Sequence, residues 1–276
     1  MSESANNARL AWSGMTHPGR VRRNNEDAFL ALAVDAEEMQ LLGKVGEDEL
    51  GRQDFIFAVS DGMGGANAGE FASRIAVDKI AAMLPRSYWL GAIGIRKGTD
   101  DYLISLFAET HAEMQQMGIS YPECQGMGAT LSLCWFSPGR MHFAHVGDSR
   151  IYYLPKDGQI KQLTEDHTHV GWLVRTGQIT ESEARYHPDK SGLQQVLGGN
   201  VREPVPQIGV VKYEVGDRFI LTSDGVTDGL SSNGIASKVI GPLGQKSEMS
   251  AAERIIQEAL FNSGRDNLTA LVVEVS

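Results

Sequence analysis

Residues 54–84 read DFIFAVSDGMGGANAGEFASRIAVDKIAAML, and the stretch changes its hydrophobic period halfway along. After Asp54, residues 55–59 are a continuous apolar run rich in aromatic and β-branched side chains, which predicts a buried strand over 54–59. The glycine-rich cluster Asp61-Gly62-Met63-Gly64-Gly65 interrupts it. Beyond the cluster, Ala72, Ile75, Ala76, Ile80 and Met83 fall on one stripe at helical spacing, so a helix is predicted over 66–84. A strand therefore runs into an acid-bearing turn and then into an amphipathic helix.

Working outward, further strands are predicted near 9–15, 27–34, 129–136, 141–146, 150–154, 160–163, 208–211, 218–222 and 268–275. Lys156-Asp157-Gly158 between two of them is a hairpin signal, in which glycine relieves a positive backbone angle. Two more helices are predicted. One spans 100–117, with Leu103, Leu106, Phe107 and Met114 on one face before Gly118; the other spans 250–263 and opens with the capping box Ser250-Ala251-Ala252-Glu253. Many antiparallel strands with a few amphipathic helices make an α+β layered domain.

Aspartate recurs where the apolar runs end: Asn25-Glu26-Asp27, Ser60-Asp61-Gly62, Gly147-Asp148-Ser149, Ser223-Asp224-Gly225 through Asp228, and Arg265-Asp266-Asn267. One Asp-Gly beside an apolar run is an ordinary turn signal. Five acidic strand ends in one chain are a different matter, because hard cations such as magnesium and manganese take oxygen ligands and no single segment here supplies a full shell. The expectation is a metal site gathered from distant strand ends.

On these motifs the chain resembles the metal-dependent protein phosphatases of the PP2C (PPM) family, in its bacterial form. Residues 19–28 (GRVRRNNEDA) are similar to the opening motif, Asp61-Gly62-Met63-Gly64-Gly65 to the second, and Gly126-Met127-Gly128-Ala129-Thr130 to the strand start that follows. Val146-Gly147-Asp148-Ser149-Arg150, Leu197-Gly198-Gly199, Ser223-Asp224-Gly225 with Asp228, and Asp266-Asn267-Leu268-Thr269 continue the series in family order, so the match covers about 12–275. The resemblance implies two stacked, mainly antiparallel sheets flanked by helices, with a metal cleft at one edge. It implies hydrolysis of protein phosphoserine and phosphothreonine by a metal-activated water, with two to three divalent cations, Mn2+ or Mg2+. Phosphorylated proteins, and a serine/threonine kinase with its substrates, are the implied partners.

By the same resemblance Asp61 bridges two cations and Gly62 offers its carbonyl, which a residue without a side chain can bring close. Asp224 and Asp266 would complete the shell of the first cation, while Glu26 and Asp27 would act on the second side largely through water. Asp148 and Asp228, sharing Asp224, match a third metal position, and Arg22 holds the substrate phosphate with its planar donor fork. Where many eukaryotic relatives carry histidine after the Asp-Gly pair, this chain has Met63, and a thioether cannot protonate a leaving oxygen. Asn267 and His145 are candidates for supporting the ligands, His145 as a satisfied imidazole in a strand. His167 and His169 are expected to face solvent.

Other chemistries fit less well. The phosphoaspartate route needs a second acid two residues from its nucleophile, where Asp224 has Thr222 on one side and Val226 on the other. Neither a dinucleotide fingerprint nor a P-loop is present. A catalytically silent phosphatase-like binding module would be expected to lose a metal ligand, whereas Asp61, Asp224 and Asp266 are all retained.

The 276 residues are 42% hydrophobic with a formal net charge of −10, enough apolar content for a sizeable core and the wrong sign for a nucleic-acid partner. Cys124 and Cys134 lack metal-type spacing and read as reduced thiols in or near a strand. No signal peptide or membrane-length apolar run is read, so a cytoplasmic monomer that contacts no membrane is expected. A disordered tail is expected over 1–8 and one phosphatase domain over 9–276. Within that domain, the polar, acidic stretch 35–53 is expected to form a solvated hairpin insertion, and 167–200 a mobile flap beside the site.

Overall fold

The computed structural model describes residues 8–35, 37–51, 53–64, 68–92, 98–240 and 248–276. In chain order its strands are β1 (Arg9–His17), β2 (Asp27–Val34), β3 (Met39–Leu41), β4 (Val45–Glu49), β5 (Asp54–Met63), β6 (Gly128–Ala129), β7 (Leu131–Ser137), β8 (Arg140–Val146), β9 (Arg150–Leu154), β10 (Lys161–Gln162), β11 (Leu197–Gly198), β12 (Gln207–Lys212), β13 (Arg218–Thr222) and β14 (Leu268–Val275). The helices are α1 (Ala68–Ala92), α2 (Thr99–Ser120), α3 (His169–Arg175), α4 (Glu181–Arg185), α5 (Asp224–Gly229), α6 (Ser232–Ile240) and α7 (Ala251–Asn262).

Two antiparallel sheets result. The first runs β10-β9-β13-β14-β1-β4; the second runs β11-β6-β5-β7-β8-β12, with β2 and then β3 added alongside β5. β5 shows why its sequence lacks polar alternation. Phe55, Phe57 and Val59 enter the layer between the sheets, while Ile56 and Ala58 enter a second layer under α1 and α2. Both faces of the strand are buried, so both sets of alternating positions are apolar. β14 repeats the pattern, sending Leu271 and Val273 between the sheets and Ala270 and Val272 toward α5, α6 and α7. The order of layers is helix, sheet, sheet, helix.

The capping box at α7 is present, with Ser250 accepting from the Glu253 amide and the Glu253 carboxylate accepting from that of Ser250. The hairpin at 156–158 also forms, but for a different reason from the one expected. Gly158 is not among the glycines with positive φ; a Cβ there would meet the Pro155 ring at 2.6 Å. Cys134 lies in β7 and Cys124 in the short 3-10 turn Pro122–Cys124; both are buried free thiols.

The acidic segment 35–53 is a hairpin only at its start, where β3 folds back on β2. β3 pairs with β2 in one sheet and β4 pairs with β1 in the other, so the segment crosses from sheet to sheet. Trp12, buried between Phe55 and Phe57, donates its indole N–H to the Gly43 carbonyl at 2.9 Å and ties the crossing to the core. Of the expected tail, residues 1–7 lie outside the described residues. Ala8 is buried, and its carbonyl accepts from the Leu50 amide at 2.8 Å. Among the described residues no helix is long and apolar enough to cross a membrane.

Candidate metal centre

Antiparallel pairing brings the acids to one end of the sandwich. Asp27 begins β2 and lies directly opposite Asp61, near the end of β5. Asp224 opens α5 immediately beyond β13, Asp266 precedes β14, and Asp148 sits in the turn between β8 and β9. Strands that alternate in direction thus deliver a start, an end, an end and a start to the same edge.

The carboxylates are crowded. Burial raises Asp61 well above the usual carboxylate range, and Asp27, Asp224, Asp148 and Asp266 each add to the shift. Asp27, only 8% exposed, is pushed up to about 7 by burial against hydrogen bonds from Ser223 and Thr269 that favour its charge, with Asp224 and Asp266 raising it further. Asp224 is pushed up to about 6 by burial, then by Asp266 and Asp228, while a hydrogen bond with Asp61 and the charge of Lys190 act the other way. Asp148 is raised by burial and by Asp224 and Asp166, with Arg150 opposing. Asp27 is buried and Asp61, Asp148 and Asp224 are partly buried beside it, so these acids are under mutual repulsion that a cation relieves.

The ligand chemistry fits such a cation. Oδ1 of Asp27 and Oδ1 of Asp224 are buried with no hydrogen-bond partner, which is costly unless something positive completes them. Among the described residues no three acidic, imidazole or thiol side chains already form a closed metal shell. A centre that shares one carboxylate, uses a main-chain oxygen and fills its remaining positions with water has no need of such a trio.

The surrounding hydrogen bonds fix each acid. Ser223 donates from its hydroxyl to Asp27 Oδ2 at 2.6 Å. Thr130 accepts from the Asp61 amide at 3.0 Å, and its own amide donates to the Asp61 carbonyl at 2.8 Å. Asn267 is a three-way clamp: its Oδ1 accepts from the Glu26 amide at 2.8 Å, and its Nδ2 donates to the carbonyls of Pro18 and Asn24, each at 2.9 Å. Arg22, exposed on that clamped loop, donates from Nη2 to Asp266 Oδ2 at 2.8 Å. The half-buried Glu26 packs against the start of α1, where a Cβ on Gly69 would meet its carboxylate at 2.8 Å. Gly62 is glycine because a Cβ would lie 1.9 Å from the Gly69 carbonyl, so the strand end and α1 touch backbone to backbone.

His145 is fully buried, its Nδ1 bonded to the Ser132 hydroxyl at 2.8 Å and its Nε2 to the Gly147 carbonyl at 3.0 Å. Because a carbonyl only accepts, the proton is on Nε2; burial, then the nearby His167, pushes the imidazole down to about 3. The expectation that His167 faces solvent does not hold. Its Nδ1 accepts from the Gly147 amide at 3.1 Å and its ring lies 5.0 Å from that of His145, so it anchors the foot of the 167–200 segment beside Asp148. His169 is exposed and stacks on Trp172.

A cleft of ≈ 370 Å³ separates this segment from the acids and is lined by Asp148, Asp224, Asp228, Arg150, Arg185 and Lys190 among others. Asp228 is held through both oxygens by Lys190. Sequence reasoning missed Ser223, Thr130 and Lys190 as neighbours of the acids. The first two lie inside motifs already quoted, though not for that role; Lys190 carries no local signal.

Comparison with known proteins agrees with this architecture. The family model described as protein phosphatase 2C matches residues 43–260. The serine/threonine protein phosphatase PstP of Mycobacterium tuberculosis is 32% identical over 271 residues, 96% of this chain, and the chain spans 45% of that relative's length. The solved serine/threonine phosphatase of S. agalactiae superposes with a TM-score of 0.79 at 29% identity, covering 97% of this chain and all of that one. The PstP catalytic domain in complex with two manganese ions superposes at 0.70 with 30% identity, covering 97% and 99%. Motif order, two-sheet architecture and a family match over most of its length together place the chain in the protein phosphatase 2C family.

Proposed function

We propose that this chain is a metal-dependent phosphoprotein phosphatase that hydrolyses phosphoserine and phosphothreonine in proteins. The observation that carries it is the pair of orphaned buried oxygens on Asp27 and Asp224, within a cluster of acids whose repulsion calls for a divalent cation. Two such ions, manganese or magnesium, would lower the pKa of a water and neutralise the phosphoryl oxygens when bound; the relative solved with two manganese ions supports that number.

Asp61 would hold both ions, with Gly62, Asp224 and Asp266 as donors to one and Glu26 and Asp27 as donors to the other. Arg22 has an exposed guanidinium already oriented by Asp266, and its remaining donors meet the substrate phosphate in a fork that lysine lacks. Asn267 keeps that loop in place, and the segment 167–200 covers the cleft as a flap on one phosphatase domain spanning 9–276. A serine/threonine kinase of the same cell is the counterpart, and the cytoplasm is the compartment.

The test is phosphate release from a phosphoserine peptide and from an aryl phosphate during a manganese titration. Saturable, metal-dependent turnover on the peptide is expected. Only metal-independent background on both substrates would instead identify a silent phosphatase-like binding module.

A further inference from the structure

The third metal position implied by the sequence is built on Asp148, Asp224 and Asp228, and in the structure one of these acids already has a cation. Asp228 lies four residues after Asp224 in α5, on the same helix face. Lys190, from the flap, places Nζ 2.5 Å from both Asp228 oxygens. The two side chains are 34% and 24% exposed, so the pair is partly shielded. A tight turn presents the lysine: the Lys190 amide donates to the His187 carbonyl at 3.2 Å and the Gly192 amide to the Asp189 carbonyl at 3.1 Å. Lys190 also lines the same cleft as Asp148 and Asp224.

A lysine ammonium is a compact point charge with three donors, closer in shape to a hydrated metal ion than a guanidinium is. A divalent ion that uses Asp228 must first displace the ammonium and so release the tie between the flap and α5. We propose that Lys190 is the resident cation of the third position, so that the chain takes up two divalent ions tightly and a third only when the flap lets go. This rests on the metal-dependent reading above.

Manganese binding to the whole chain, followed by equilibrium dialysis with elemental analysis, tests it alongside hydrogen exchange at residues 187–192. The wild type is expected to hold two tight equivalents. Lys190→Gln and Lys190→Ala are expected to bind a third about tenfold more tightly than the wild type does, the equivalent of ~1.4 kcal/mol. Lys190→Arg, which keeps a cation on Asp228, should follow the wild type. Asp228→Asn should abolish the gain in the Lys190→Gln background. In the wild type, filling the third position should raise exchange at 187–192. A third equivalent that binds equally well with and without Lys190, or exchange there that ignores manganese, overturns the proposal while two tight equivalents leave the phosphatase reading standing. No tight manganese in any variant removes both.

Discussion

Asp27 and Asp61 face each other across β2 and β5 as register partners, and the charge of Asp224 acts on both. Asp61 feels the charges of Asp27, Asp224, Asp148 and Asp266 together. Asp61→Asn is expected to remove tight manganese binding and to slow turnover about a thousandfold, a loss of ~4 kcal/mol in transition-state stabilisation. Asp35→Asn is the control, because Asp35 only caps the exposed amides of Glu37 and Glu38. Near-normal manganese-dependent rates in the Asp61 variant would refute the bridging role.

The raised acids set a pH dependence for the metal-free protein. Asp27 and Asp224 sit at about 7 and about 6 against an ordinary 3.8, so the fold binds their protons more tightly than the unfolded chain does. Their contribution to stability is full below the ordinary value and is lost as pH rises through 6 and 7. In chelator, Tm should fall between pH 5 and pH 8, and saturating manganese should flatten the profile by replacing the protons. An unchanged or rising Tm in chelator over that window would contradict the crowding of the cluster.

The long strands and α7 were legible because their signals are local: β5 and β14 as unbroken apolar runs, α7 as a capping box with a clean stripe. The acids were legible because each adjoins such a run. What escaped depends on contacts between distant segments. Asp224-Gly225 was read as a strand end, and the structure adds that Asp224 also opens the helix α5. β3 and β4 are short, polar edge strands whose partners lie in different sheets, so no local pattern marks them. The lysine on Asp228 and the histidine on Gly147 come from a segment whose sequence carries little periodicity.

Asn267→Ala tests the clamp. Losing three hydrogen bonds frees the loop from Pro18 to Glu26, so Arg22 loses its placement although it is itself untouched. Since outer partners of a metal site are worth about 10- to 100-fold, kcat/KM should drop by that amount, chiefly through KM, with the fold retained. A loss confined to thermal stability, with KM unchanged, would make Asn267 purely structural.

Trp12→Ala should cost about 3–5 kcal/mol, the usual range for deleting a buried aromatic side chain. The indole contacts Phe55 and Phe57 at 6.0 and 5.9 Å between ring centres and binds the Gly43 carbonyl. Denaturant unfolding measures the change, and proteolysis between β3 and β4 should accelerate in parallel. A cost below about 1 kcal/mol would mean that the crossing segment is held by its strands alone.

That crossing also sets the charge along one border of a sheet. β4 forms one border of its sheet with Glu47, Asp48 and Glu49 in a row of five residues, and a border of unpaired main-chain groups invites another chain to add a strand. Like charges on two such borders repel, so the acidic segment works as a fence against sheet-to-sheet polymerisation. Neutralising the three acids would leave the edge that gathers the aspartates untouched and give the molecule an adhesive flank.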